Sequence, residues 1–261
     1  MATLVCFHAH PDDECIATAG TMAHAAANGH RVVLVVATGG EHGETPVDLA
    51  PGETLADRRR VETERAAEIL GIHRIVWLGY EDSGMQGWSQ NDHPTSFWKA
   101  SVDDAADRLA AVLVEERADV ITVYDWHGNY GHPDHIQVHR VGHRAAELAD
   151  TPHVYEATMN REHIARLMAA ARENGADIEG QRETDDGEPL GMAEADLTTA
   201  LDVSAYAELK RRALACHASQ VGDSSFFLTM TPEIFAMAFG MEFYIRKGAP
   251  VGIHENALAG L

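Results

Sequence analysis

Apolar residues gather along this chain in short unbroken runs, separated by stretches with helical spacing. Residues 3–7 form a β-rich run, followed after His8-Ala9-His10 by Pro11. Ile16, Ala19, Ala23 and Ala26 then recur at helical spacing until Asn28-Gly29, a helix-stop signal. Residues 32–38 are continuously apolar and closed by Gly39-Gly40, and an unalternated run suits a parallel strand buried on both faces. The spacing goes on to predict a helix over 57–70, a strand over 74–78 and a helix over 98–117 carrying Val102, Leu109, Val112 and Leu113. A further buried strand follows at 120–124, and Pro133 opens a helix that runs to about 149. Beyond 150 the pattern weakens. Residues 173–196 hold nine acids against one Arg and read as a solvated excursion. A strand at 196–203, a helix at 204–217 and a last strand at 240–246 complete the reading.

Strands alternating with helices of this length indicate a parallel sheet with crossover helices. The expected architecture is α/β: a Rossmann-like, mostly parallel sheet flanked by helices over 1–160, with 161–261 as a C-terminal lobe of the same domain completing the pocket. In open sheets of this kind, sites gather at the carboxyl ends of the strands.

Composition narrows the partners. The chain has 261 residues, 45% hydrophobic and 23% charged, enough for a substantial core. Lys plus Arg is 20 against 41 for Asp plus Glu, a net charge of −21, so nucleic acid and anionic membranes are repelled rather than bound. Cys6, Cys15 and Cys216 are too scattered for a disulfide framework, and no Cys-x-x-Cys pair suggests a thiolate metal site. No basic region followed by an apolar run opens the chain, and no stretch approaches membrane-spanning length. The expectation is a soluble, cytoplasmic protein with a small-molecule substrate; homo-oligomerisation is left open.

Two segments carry chemistry. His10-Pro11-Asp12-Asp13 lies where the first strand passes into the first helix, and His132-Pro133-Asp134-His135 lies at another such passage. Helix capping explains one or two of the acids, since the first turn favours negative charge. It does not explain His10 three residues before Asp13, which can present imidazole and carboxylate to one ion, nor the matching pair His132 and His135. Among 16 His some close pairs arise by chance, but two His-Pro-Asp segments each opening a helix after a buried strand point to a metal site. Two His and one carboxylate leave a position open for water, the arrangement of a catalytic zinc, and the set also suits Fe(II).

With these residues in view, the chain resembles the LmbE-like, or PIG-L, family of zinc-dependent N-acetylglucosaminyl deacetylases. The carrying segments are Ala9-His-Pro-Asp-Asp-Glu14, Gly40-Glu-His-Gly-Glu44, Asp82-Ser-Gly-Met85, His132-Pro-Asp-His135 and His217-Ala-Ser-Gln220. Within the family it looks most similar to the actinobacterial mycothiol-pathway deacetylase and mycothiol S-conjugate amidase. The resemblance implies His10, Asp13 and His135 as metal ligands and Asp12 as general base and later acid. It implies that His132 stabilises the tetrahedral intermediate, that Tyr130 contacts the acyl oxygen and that Asp134 orients His132. Glu44 and Arg59 would contact sugar hydroxyls, although Asp57-Arg-Arg-Arg60 reads equally as the charged first turn of a surface helix; Asp82-Ser-Gly is a turn signature, and its carboxylate in a loop after a parallel strand is placed for sugar recognition. Trp126-His127 departs from the pattern of the mycothiol enzymes, which bears on the pocket rim.

Other candidates have plainer readings. His139 and His143 continue the His135 stripe and suit packing, His8 is superfluous beside three ligands, and Cys15 beside acids is a poor nucleophile. Gly39-Gly40 lacks dinucleotide-binding spacing. The rival activities are an amidase cutting a larger acyl group, toward which residues 220–227 with their paired Phe226-Phe227 lean whereas Tyr130-Gly131-His132 looks more like the deacetylase, and a natural-product N-deacetylase. The non-enzymatic rival is a metal- or sugar-binding module, against which the free carboxylate of Asp12 argues.

Overall fold

The computed structural model describes residues 1–173, 184 and 187–261. Five parallel strands form the centre of one sheet: β1 (Thr3–His8), β2 (Arg31–Thr38), β3 (Arg74–Tyr80), β4 (Val120–Tyr124) and β5 (His153–Thr158). Two antiparallel strands, β6 (Thr199–Asp202) and β7 (Met241–Arg246), extend it, giving the order β3-β2-β1-β4-β5-β7-β6. The fold is therefore the α/β, mostly parallel sheet that the alternation implies. β1 and β4 are fully buried, as their unalternated runs require.

Helices cover both faces. On one side α4 (Val102–Glu116) and α6 (Pro133–Leu148) bury Leu109, Val138 and Val141 against Phe7, Val35 and Val123. On the other, α2 (Ala19–Ala27), α3 (Leu55–Leu70) and α8 (Ala207–Leu214) bury Met22, Leu70 and Leu214 against Leu4, Cys6 and Val32. Burying side chains of this size contributes about 1.5–3 kcal/mol each, so the packing on both faces holds the sheet. The remaining helices are α1 (Asp13–Ala17), the short turn α5 (Gly128–Gly131), α7 (Arg161–Glu173), α9 (Phe226–Thr229) and α10 (Pro232–Phe239).

Three departures from the sequence pattern have physical causes. The first helix, expected as one piece, breaks at Thr18 (φ −140°), whose hydroxyl bonds His8 Nε2 at 2.8 Å. The start of α2 is held instead by Glu242, whose carboxylate accepts the N–H groups of Gly20 and Thr21, both at 2.9 Å. Pro11 precedes α1 rather than opening it; the position before the helix belongs to Asp12, in the left-handed region at φ +95°. β5 and α7 also form beyond residue 150, where the pattern had faded. Of the acidic excursion, 174–183 and 185–186 lie outside the described residues.

The tail closes the far edge of the sheet. Ala200 donates to the Glu255 carbonyl and His254 to that of Thr198, while Leu258 is buried and Ala259 donates to the Tyr155 hydroxyl. No described helix is long and apolar enough to cross a membrane.

Candidate functional site

Strand order decides where the two His-Pro-Asp segments meet. β1 lies between β2 and β4, so the loops leaving β1 and β4 emerge side by side at the carboxyl edge, where crossover helices diverge to opposite faces. There Asp13 Oδ2 lies 3.3 Å from His10 Nδ1 and 3.3 Å from His135 Nε2. Donors bound at 2.0–2.1 Å around a tetrahedral ion are spaced by roughly 3.3–3.4 Å, and Asp13 Oδ2 stands at that separation from each of the two imidazoles. Ligand-capable atoms of His10, His132 and His135 also fall within 4.8 Å of one another, which raises the question of which imidazoles bind.

Hydrogen bonding answers it. His132 Nδ1 accepts the Asp134 N–H at 3.1 Å, so that nitrogen carries no proton and Nε2 does. Ligation through Nε2 would demand a proton on Nδ1, pointing at another N–H. His132 is therefore built as a neutral donor; burial, with His10 and His135 adding to it, pushes its pKa down to about 2. His10 has the opposite arrangement: Nδ1 faces Asp13, and Nε2 faces Asp134 Oδ2 at 3.2 Å and Asp82 Oδ1 at 3.5 Å. A carboxylate behind an imidazole fixes the tautomer that leaves the front nitrogen free for metal.

Asp134 thus differs from its implied role. Its carboxylate braces His10, and only its backbone N–H reaches His132. Ser83 clamps it, donating both N–H (2.9 Å) and hydroxyl. Asp134→Ala should lower metal affinity about 10–100-fold, the usual effect of removing such a brace, as read by competition with a chromophoric chelator. Unchanged affinity would mean that His10 keeps its orientation without it.

The carboxylates crowd a small volume. Burial opposes charge on His10, yet Asp82, Asp13 and Asp134 outweigh it and raise its pKa well above the ordinary range. Asp13 is likewise opposed by burial but held well below the carboxylate range by His135 and His10. Carboxylates gathered this closely favour positive charge among them.

Asp12 stands beside the triad on a backbone at φ +95°, a conformation few residues other than Gly, Asn and Asp adopt. The turn separates it from Asp13, so adjacent carboxylates face different partners. Its N–H donates to Glu14 Oε2 at 2.9 Å, and its Oδ2 accepts from Arg59 at 3.1 Å. Burial pushes its carboxyl up to about 6, with Arg59 opposing and Asp13 reinforcing. Glu14 is fully buried and paired with His217 Nε2 at 2.8 Å. Sequence spacing gave no signal linking positions so distant, although both lie in segments that carry the resemblance.

A cleft of about 220 Å³ opens on the centre, lined by Asp12, Arg59, Asp82, Tyr130, His132 and Gln220 among others. Arg59 is buried, donating to the Gly40 carbonyl as well as to Asp12. Asp82 contributes an edge to the cleft, but its oxygens accept from Gly84 and His42 and brace His10. Glu44 is exposed on the rim, its main chain bonded on both sides to the side chain of Gln220. Tyr130 sits on the α5 turn with its hydroxyl 3.4 Å from His135 Nε2. A second chamber of about 350 Å³ also reaches Asp13, Tyr130 and His135, and its walls include Ile164, Phe227, Phe239, Met241 and Phe243.

The plain readings hold for His8, bonded through both ring nitrogens to Tyr124 and Thr18, and for Cys15, buried with its thiol pKa pushed well up. Trp126 is exposed and His127 is buried.

The family GlcNAc-PI de-N-acetylase (PIG-L) matches residues 5–146, a span containing both His-Pro-Asp segments. The chain belongs to the PIG-L family. Within it, a 1D-myo-inositol 2-acetamido-2-deoxy-alpha-D-glucopyranoside deacetylase of Catenulispora acidiphila is 38% identical, covering 99% of this chain and 89% of that one. A deacetylase of the same name from Thermobifida fusca is 40% identical over 95% of this chain and 93% of its own. Among solved structures, the N,N'-diacetylchitobiose deacetylase of Pyrococcus horikoshii superposes with a TM-score of 0.61 at 23% identity, covering 94% of this chain and 83% of that one. That last likeness concerns the fold. As a PIG-L member this protein is an amide-hydrolysing enzyme.

Proposed function

We propose that this protein removes the acetyl group from an N-acetylglucosaminyl-inositol, the type of compound its relatives are named for, using a zinc ion held by His10, Asp13 and His135. The observation that carries this reading is Asp13 Oδ2 at equal distance from the two imidazoles, with Asp12 turned away beside it. The same donors suit Fe(II). When bound, such an ion lowers the pKa of water to about 7 and polarises a carbonyl.

The chain's own residues account for the rest. Asp12 takes the proton of the attacking water as the new C–O bond forms. His132 donates Nε2–H to the oxygen on which charge develops. As the C–N bond breaks, Asp12 returns the proton to the departing amine, giving acetate and a free amino sugar. Arg59 holds the Asp12 carboxylate, and Tyr130 offers its hydroxyl to the acyl oxygen. Arg59, Asp82 and the Glu44 rim face the sugar hydroxyls. Three free cysteines, two of them buried, accord with a reducing cytoplasm.

The test is release of amine and acetate from N-acetylglucosaminyl-inositol, abolished by a chelator and restored by Zn²⁺ or Fe²⁺. Turnover indifferent to thorough chelation would refute the metal assignment. No turnover with any N-acetyl amino sugar, from protein of verified metal content, would refute the substrate class.

One observation favours a second reading, an amidase for larger acyl groups: the apolar chamber beside His135 offers room that acetate does not use. If it receives the acyl chain, each added CH₂ from acetyl to butyryl should raise kcat/KM up to about fourfold, the equivalent of about 0.8 kcal/mol. Phe227→Ala should remove that gain while sparing the acetyl substrate. A steep fall from acetyl to propionyl would leave the chamber without this role.

A further inference from the structure

We infer that this protein carries a second site for a transition-metal ion, formed by His139, His143 and Glu156 on the sheet side of α6. Ligand-capable atoms of these three residues lie within 4.8 Å of one another. His139 and His143 are one helical turn apart, their ring centroids 4.5 Å from each other, the spacing at which an i,i+4 pair can share an ion. Glu156 comes from β5, opposite Val123 of β4, and its Oε1 lies 2.8 Å from His143 Nε2. His139 Nδ1 lies 3.8 Å from Glu156 Oε1 and donates its N–H to the Tyr124 carbonyl at 3.0 Å, the support that metal-binding imidazoles usually receive, so Nε2 is the nitrogen left to take an ion.

The side chains are 15–23% exposed, enough for an ion to enter and for the rings to close by the last ångström. Two imidazoles and one carboxylate select Zn²⁺, Cu²⁺ or Ni²⁺ over Mg²⁺ or Ca²⁺, which take oxygen. Binding replaces the hydrogen bond between His143 Nε2 and Glu156, the imidazole proton passing to Nδ1 so that the Nε2 lone pair faces the ion. The net charge of −21 favours cations around the whole molecule.

The site is separate from the catalytic triad yet mechanically joined to it. His135, His139 and His143 share one stripe of α6. Tyr124 stacks its ring on His135, with centroids 4.4 Å apart, while its carbonyl holds His139. The donor set repeats that of the triad in a more open setting, so the expected order of filling is triad first, outer site second.

The experiment is a titration of untagged, chelator-stripped protein with Zn²⁺, counting tight and weak equivalents. Wild type should take two, His135→Ala and His143→Ala one each, and the double variant none. Glu156→Gln keeps a hydrogen bond to His143 and preserves the packing, so its loss of the weaker equivalent would not reflect misfolding. In the His135→Ala background, Cu²⁺ should show nitrogen hyperfine coupling that His143→Ala abolishes. His143→Ala should retain deacetylase turnover, and the stoichiometry is readable even if no substrate is turned over. A wild type that takes one equivalent, or a second equivalent that survives both His143→Ala and Glu156→Gln, overturns the inference.

Discussion

Asp12→Asn should yield protein that holds its full metal complement and turns over about 10²–10⁴-fold more slowly, the usual contribution of a positioned acid–base group. Asn tolerates the left-handed backbone that Asp12 occupies, so the substitution removes the carboxylate without adding strain. Asp13→Ala and His135→Ala should instead lose the metal, and their activity with it, because the triad closes on Asp13 Oδ2. His132→Ala should side with Asp12→Asn, keeping the ion but losing the donor to the developing oxyanion. Metal stoichiometry measured beside kcat for all four variants separates the roles. A metal-free Asp12→Asn together with a loaded Asp13→Ala would reverse the assignment.

The largest effect on stability is expected at Glu242. This residue and Lys210 are each at most 2% exposed and joined at 2.7 Å. Glu242 also accepts from Gly20 N–H, Thr21 N–H, the Thr21 hydroxyl and the Tyr244 hydroxyl. Glu242→Ala strands a buried ammonium and strips the start of α2 of its acceptor, so it should cost about 3–5 kcal/mol. At about 2–4 °C per kcal/mol for a chain of this size, Tm should fall by roughly ten degrees. Combining Glu242→Gln with Lys210→Met restores one of the two acceptor oxygens and removes the stranded charge, and should recover part of the loss. A Tm within two degrees of wild type for Glu242→Ala would mean that water reaches the ammonium.

The same residue shows where sequence reading stops. β1, β2, β4 and α6 were legible because unbroken apolar runs and a Pro at a helix start are local signals. The break at Thr18 was not, since the group that starts α2 lies on β7, in the last part of the chain. β5 mixes buried and half-buried positions, and α7 buries none of its residues fully, so neither stands out from its surroundings. At the site, paired His-Pro-Asp segments named the residues that converge. What each carboxylate braces was hidden: Asp134 turning to His10 depends on Ser83, and Glu14 meeting His217 depends on how α1 packs against α8 and the loop after it.

The stitched edge at β6 has a practical meaning for anyone altering the chain. A four-residue strand at the rim of a seven-stranded sheet leaves its outer backbone groups ready to pair with another molecule. Residues 254–259 occupy that position, capping the rim with main-chain bonds and the buried Leu258. Shortening the chain at about 250 would leave the chemistry at the opposite end of β1 and β4 in place while uncovering a sticky border. The shortened protein should be active when dilute and self-associate as its concentration rises.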